Sequence, residues 1–101
     1  MYSNGIGSIS YLHNISTIYK NDPNIAKALE HLSQINEIKK EVDCLAELIA
    51  KSYTEPENKK KHNDKIKSIL GTIKSCVEFM ATAIPFYDII AKKYGLPTIL
   101  T

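Results

Sequence analysis

Apolar residues recur along most of this chain at steps of three and four, the spacing that places side chains on one face of a helix. The longest series is Ile25, Leu29, Leu32, Ile35, Ile38, Val42, Leu45 and Ile49, and a second runs through Ile66, Ile69, Leu70, Ile73, Val77, Met80 and Ile84. A shorter one, Ile9, Leu12, Ile15 and Ile18, steps only by threes, so it drifts round a helix. Its β-branched residues restrict χ1 in a helix, but apolar and polar positions do not alternate there. A short helix from about Ser8 is expected, after a flexible lead-in over residues 1–7 that carries Gly5 and Gly7.

Punctuation divides the rest. Asp22 before Pro23 is a helix start: the carboxylate can accept from free N–H groups of the first turn, and proline at the first helical position loses nothing. One helix of roughly 45 Å is predicted over residues 23–53, bending near Ile35 where the steps of three make the stripe drift. Thr54-Glu55-Pro56-Glu57 matches a capping box that would open the next helix. The first turns of that helix, residues 57–65, lack apolar residues and are expected to project or fray. Gly71 weakens it, and Pro85 ends or kinks it near Ile84. A last helical piece carries Phe86, Ile89, Ile90 and Tyr94, with Gly95 as its C-terminal cap and Pro97 as a stop. The expected fold is all-α: a small antiparallel bundle of three to four helices, the last kinked or broken at Pro85. Tyr19, Tyr53 and Tyr94 sit near helix ends, where such rings close a core with the hydroxyl in water.

The chain has 101 residues, 44% of them hydrophobic and 24% charged. That length fits a single domain, alone or as the N-terminal domain of a longer protein, and ordinary usage of this kind supports a core. The net charge is +2, and all 13 basic residues are lysine. Arginine makes the bidentate contacts to phosphate and guanine, so a nucleic-acid partner is disfavoured. Fifteen isoleucines, with many lysines and asparagines, suggest a low-GC source. With no signal-peptide pattern and no apolar run of membrane-spanning length, the expected compartment is the cytoplasm, and the sequon Asn14-Ile15-Ser16 is expected to be unused.

The sequence carries no recognisable pattern of catalytic or metal-binding residues. The residues three before His13, His31 and His62 are Ser10, Ala28 and Lys59, so the Glu-x-x-His pairs of di-iron bundles are absent. Neither a His-Glu-x-x-His nor a Cys-x-x-Cys pattern occurs. Cys44 and Cys76 lie beside the apolar stripes and are expected to act as small core hydrophobes. A hairpin turning near Glu55 would set Cys44 level with about residue 66, roughly 15 Å along the axis from Cys76, so no disulfide is expected. His31, beside Glu30, is expected at the surface. The one charge cluster is Lys59, Lys60, Lys61 and Lys65, with His62 among them. It lacks interleaved aromatics for base stacking and reads as a solvated helix start, although lysines at a helix N-terminus oppose its dipole and so hint at an acidic partner.

No catalytic residue, metal or cofactor is expected, and the chain is not expected to be an enzyme. The leading expectation is a regulatory or oligomerising domain that binds protein, itself or another chain, through an apolar C-terminal region: Phe86, Tyr87, Ile89, Ile90, Tyr94 and Leu96. A second is a membrane-permeabilising helical domain that releases residues 71–91 on activation. A third is a small immunity or inhibitor protein of a bacterium or phage.

Overall fold

The computed structural model describes the backbone of residues 2–100 and the side chains of residues 11–100. Among the described residues there are five α-helices and no strand: α1 Tyr2–Asn21, α2 Pro23–Leu32, α3 Lys39–Thr54, α4 Lys59–Val77 and α5 Ile84–Lys93. Helix α1 takes in the segment 2–7 that was expected to precede it. The Gly5 and Gly7 side of that expectation, and the place of Ile9 in the first stripe, fall outside the described side chains.

The start of α2 follows the sequence. Pro23 occupies the first turn and the Asp22 carboxylate accepts the Ile25 N–H at 3.4 Å. Its end does not. Residues 23–53 form two helices, not one, because Leu29, Leu32, Ile35 and Ile38 are spaced by threes and cannot share one face of a straight α-helix. The chain resolves this by leaving the helix after Leu32. The Ser33 hydroxyl donates back to the Glu30 carbonyl at 2.7 Å, Ile35 is extended (φ −91°, ψ 109°), and a 3-10 turn at Asn36–Ile38 leads into α3. Ile38 stays buried while Ile35 is only partly covered. The split explains why there are five helices where three to four were expected.

Two further boundaries differ. Thr54 does not cap the next helix: it is the last residue of α3, and its hydroxyl donates back to the Ala50 carbonyl at 3.4 Å. A 3-10 turn at Pro56–Asn58 then leads into α4, whose start has no side-chain cap. Helix α4 ends at Val77, not at Ile84. The break is a turn over residues 78–83, and Pro85 sits in the first turn of α5, where it initiates a helix and breaks none.

The early turns of α4 do not project. His62 is 9% exposed and its Nε2 lies 3.2 Å from Glu55 Oε1, so the inward face of α4 begins at His62 and continues through Ile66, Leu70, Ile73 and Val77, each 0% exposed. Across from it, α3 contributes Val42, Leu45 and Ile49, also at 0%. Cys44 and Cys76 are both free, as expected. Cys44 is exposed and Cys76 half-buried, so Cys44 is not the core hydrophobe that its position suggested.

Helices α3 and α4 share the most extensive contact; α1 lies against α3 and α2, and α5 against α2 and α4. The extents of 35 × 34 × 21 Å make the molecule about two helices thick. On α1 the inward residues are Tyr11, Ile15 and Ile18, stepping by four and three, so Leu12 falls outside and is 64% exposed. Ile69 and Met80 pack at the core's edge.

Two glycines test this backbone in opposite directions. Gly71 is exposed within α4, and a Cβ there would meet nothing within 4 Å. Gly95, just past α5, has φ +73°. Gly71→Ala should raise the unfolding free energy by about 1 kcal/mol, and Gly95→Ala should lower it by about 1–2 kcal/mol, both read from urea midpoints. The same sign at both positions contradicts the placement of these boundaries.

Candidate interaction surface

The C-terminal region is built on α5, and three sets of contacts hold it. The first is the cap. The Leu96 N–H donates to the Ala91 carbonyl at 2.9 Å and the Gly95 N–H to the Lys92 carbonyl at 3.2 Å, the paired bonds of a Schellman motif around the left-handed Gly95. The second folds the tail back: the Asp88 carboxylate accepts the Ile99 N–H at 2.7 Å and the Leu100 N–H at 3.1 Å. The third pins α5 to its neighbours. Lys93 Nζ lies 3.0 Å from Asp22 Oδ2 and 5.7 Å from the centre of the Tyr53 ring, and Phe86 stacks on His31 with ring centres 4.0 Å apart and planes 11° from parallel. Asp22 therefore caps α2 and holds the end of α5 together. A partly shielded ion pair adds on the order of 1 kcal/mol at most; its main effect is to fix where α5 ends.

These contacts sort the residues singled out in the sequence. Tyr87 and Ile90 are 2% and 0% exposed and belong to the core. Phe86, Tyr94 and Leu96 are half-buried at its edge. Ile89 is 40% exposed, and Leu100, whose N–H the Asp88 carboxylate holds, is 67% exposed. The apolar density after Pro85 is thus mostly core closure, with a narrow strip left open. Lys59, Lys60, Lys61 and Lys65 are all exposed on the first turns of α4. His62, grouped with them by sequence, turns inward instead. His31 is exposed, as expected.

Sequence reasoning missed Phe79. It was not assigned to any stripe, and it stands in the turn after α4 at 85% exposure. Nothing local in the sequence marks Asp88 as the acceptor for amides eleven and twelve residues away. Two shallow clefts lie elsewhere. One, between α3 and α4, is lined by Leu48, Ile69, Cys44 and Ser68 with Lys51 and Lys65 at its rim. The other carries Lys27, His31, Gln34 and the Tyr19–Glu30 hydrogen bond. Among the described residues no three His, Cys, Asp or Glu side chains gather as a metal site, and no helix is long and apolar enough to cross a membrane. No family model matches the chain, and no curated protein or solved structure matches it either.

Tyr87, Lys93 and Tyr94, on α5 or just after it, are shifted upward. Burial pushes the Tyr94 hydroxyl up to about 12 from 10.0, and burial also raises Tyr87 and Tyr11. For Lys93, burial disfavours the charge, but Asp22 and the Tyr53 hydroxyl outweigh it and raise the group above its usual value. A raised folded-state value stabilises fully below the unfolded one and is lost as pH rises through the folded one. For Tyr94 that window runs from 10.0 to about 12. Stability measured by urea unfolding should therefore fall through this alkaline range, and Tyr94→Phe should fall less steeply than the parent. Equal slopes for the two proteins would remove Tyr94 as a contributor.

Proposed function

We propose that this chain is a non-enzymatic helical-bundle domain that acts by binding protein, and that the region from Pro85 to Leu100 carries the contact. The supporting observation is the clamp at Asp88. A tail free in solvent would show its apolar side chains transiently and lose entropy on docking. Here two backbone amides bind one carboxylate, so the tail at Leu100 is held at Asp88, next in sequence to Ile89, on a helix that is itself capped and pinned. Half-buried Phe86, Tyr94 and Leu96 border this strip and would be covered with it. Two of its ionisable neighbours already have partners inside the fold: Lys93 with Asp22, and His31 with Phe86.

The simplest partner is a second copy. A strip of this kind can pair with itself across a twofold axis, which closes the assembly at a dimer. The single core shared by all five helices supports reading the chain as one domain. Sedimentation velocity across the micromolar range should show a concentration-dependent dimer. Ile89→Ser with Leu100→Ser should sediment as a monomer while keeping its helical circular dichroism. A wild type that stays monomeric at every concentration contradicts self-association through this strip.

A further inference from the structure

We propose that the outer face of α4 docks on an anionic lipid bilayer, with lysines against the headgroups at one end and Phe79 inserted at the other. The residues buried on α4 are His62, Ile66, Leu70, Ile73 and Val77. The opposite face follows from the same register: Lys61, Lys65, Ser68, Thr72 and Ser75 step by four and three, and every one is exposed. One further step of four reaches Phe79. Glu78, between Val77 and Phe79, is still helical (φ −61°, ψ −16°) and its N–H bonds the Lys74 carbonyl, so the register carries through to the end of that face. Phe79 is the most exposed of the large apolar residues described, at 85%.

The charge is concentrated at the other end. Lys59, Lys60, Lys61 and Lys65 form none of the ion pairs among the described residues. Glu57 and Asp64 offset them only in part. The first turn of α4 has no acidic residue and no side-chain cap, so positive side chains crowd the positive end of a helix dipole. An anionic surface relieves that repulsion, and lysine-rich patches are drawn to the negative leaflet within a Debye length.

The partner's shape follows from the spacing. Lys61 and Phe79 are eighteen residues apart, or about 27 Å at the rise of a helix, and beyond Lys65 the residues on that face between them, Ser68, Thr72 and Ser75, are small. A target touched at both ends must be flat over that distance and must offer negative charge together with an apolar interior just below it. A bilayer of acidic phospholipid meets all three conditions. Binding of this kind is peripheral: the helix lies along the interface and the core stays closed, since Ile73 and Val77 remain turned into the protein.

The test is co-sedimentation of the intact chain with vesicles of phosphatidylcholine alone and of phosphatidylcholine mixed with phosphatidylserine. The wild type should bind only the mixed vesicles, and raising the salt should release it. Lys61→Glu with Lys65→Glu should bind at least about tenfold more weakly. Phe79→Ser should bind several-fold more weakly while keeping the salt dependence. Lys20→Glu with Lys27→Glu, the same change in net charge at exposed sites on α1 and α2, should bind like the wild type. Each variant is accepted only if its circular dichroism matches the parent's. Failure of the wild type to bind mixed vesicles at low salt overturns the proposal, as does equal weakening by the two lysine pairs, which would reduce the effect to net charge. Unaltered binding by Phe79→Ser overturns the two-ended contact.

Discussion

Everything in this fold leans on the apolar seam between α3 and α4. Val42, Leu45 and Ile49 on one side meet Ile66, Leu70, Ile73 and Val77 on the other, and none of these side chains reaches solvent. A buried aliphatic side chain of this size contributes about 1.5–3 kcal/mol relative to exposure, set against a net stability of only about 5–15 kcal/mol for a whole domain. Neither helix alone could hide its stripe. Paired by a short 3-10 turn, they make a ledge on which the other helices are laid: α1 on α3, α5 on α4, with α2 packed against both α1 and α5. The short α2 reaches that position only because the chain leaves the helix after Leu32. Had it continued straight from α2 into α3, Leu29 and Ile38 could not both have faced inward.

The ends of the shorter helices are held by polar contacts that the seam does not supply. Asp22 serves two of them, accepting the Ile25 N–H at the start of α2 and pairing with Lys93 at the end of α5. Asp88 does similar work for the tail. Each is one carboxylate joining segments remote in sequence, so each converts a local choice of residue into a global constraint. The surface that results is uneven. The C-terminal apolar run is largely consumed in closing the core, and what remains open is narrow. The most exposed large apolar side chain is instead Phe79, in the turn after α4.

The helical class was legible because apolar steps of three and four dominate, and Asp22-Pro23 and Gly95 marked their boundaries for physical reasons that the structure repeats. Of Leu45, Ile49, Ile69, Ile73 and Val77, which the same spacing assigns to the core, all are fully buried except Ile69, which packs at its edge. The long helix over residues 23–53 was misread because a drifting stripe can be relieved by bending or by breaking, and the choice depends on whether α1 and α5 are there to cover the separate pieces. Thr54 was misread because a threonine that could cap a following helix can equally finish the preceding one, with its hydroxyl turned back to Ala50. The candidate surface was half legible. Composition located the apolar residues after Pro85, but which of them face outward depends on the phase of α5 against α2 and α4, and that phase is set by contacts as remote as Lys93 with Asp22. His62 shows the same limit on the basic cluster: its neighbours are lysines in sequence, while its neighbour in space is Glu55.

If the α3–α4 seam carries the fold, it must be the last part to open. Native-state hydrogen exchange read amide by amide in low denaturant tests this directly. Amides in the middle of α3 and α4 should exchange only through global unfolding, with α1, α2 and α5 opening at equal or lower free energy. Leu45→Ala should lower the α3 and α4 values together by about 2–5 kcal/mol. Amides of α1 or α5 that outlast those of α3 and α4, or a Leu45→Ala effect confined to α3, would contradict the account.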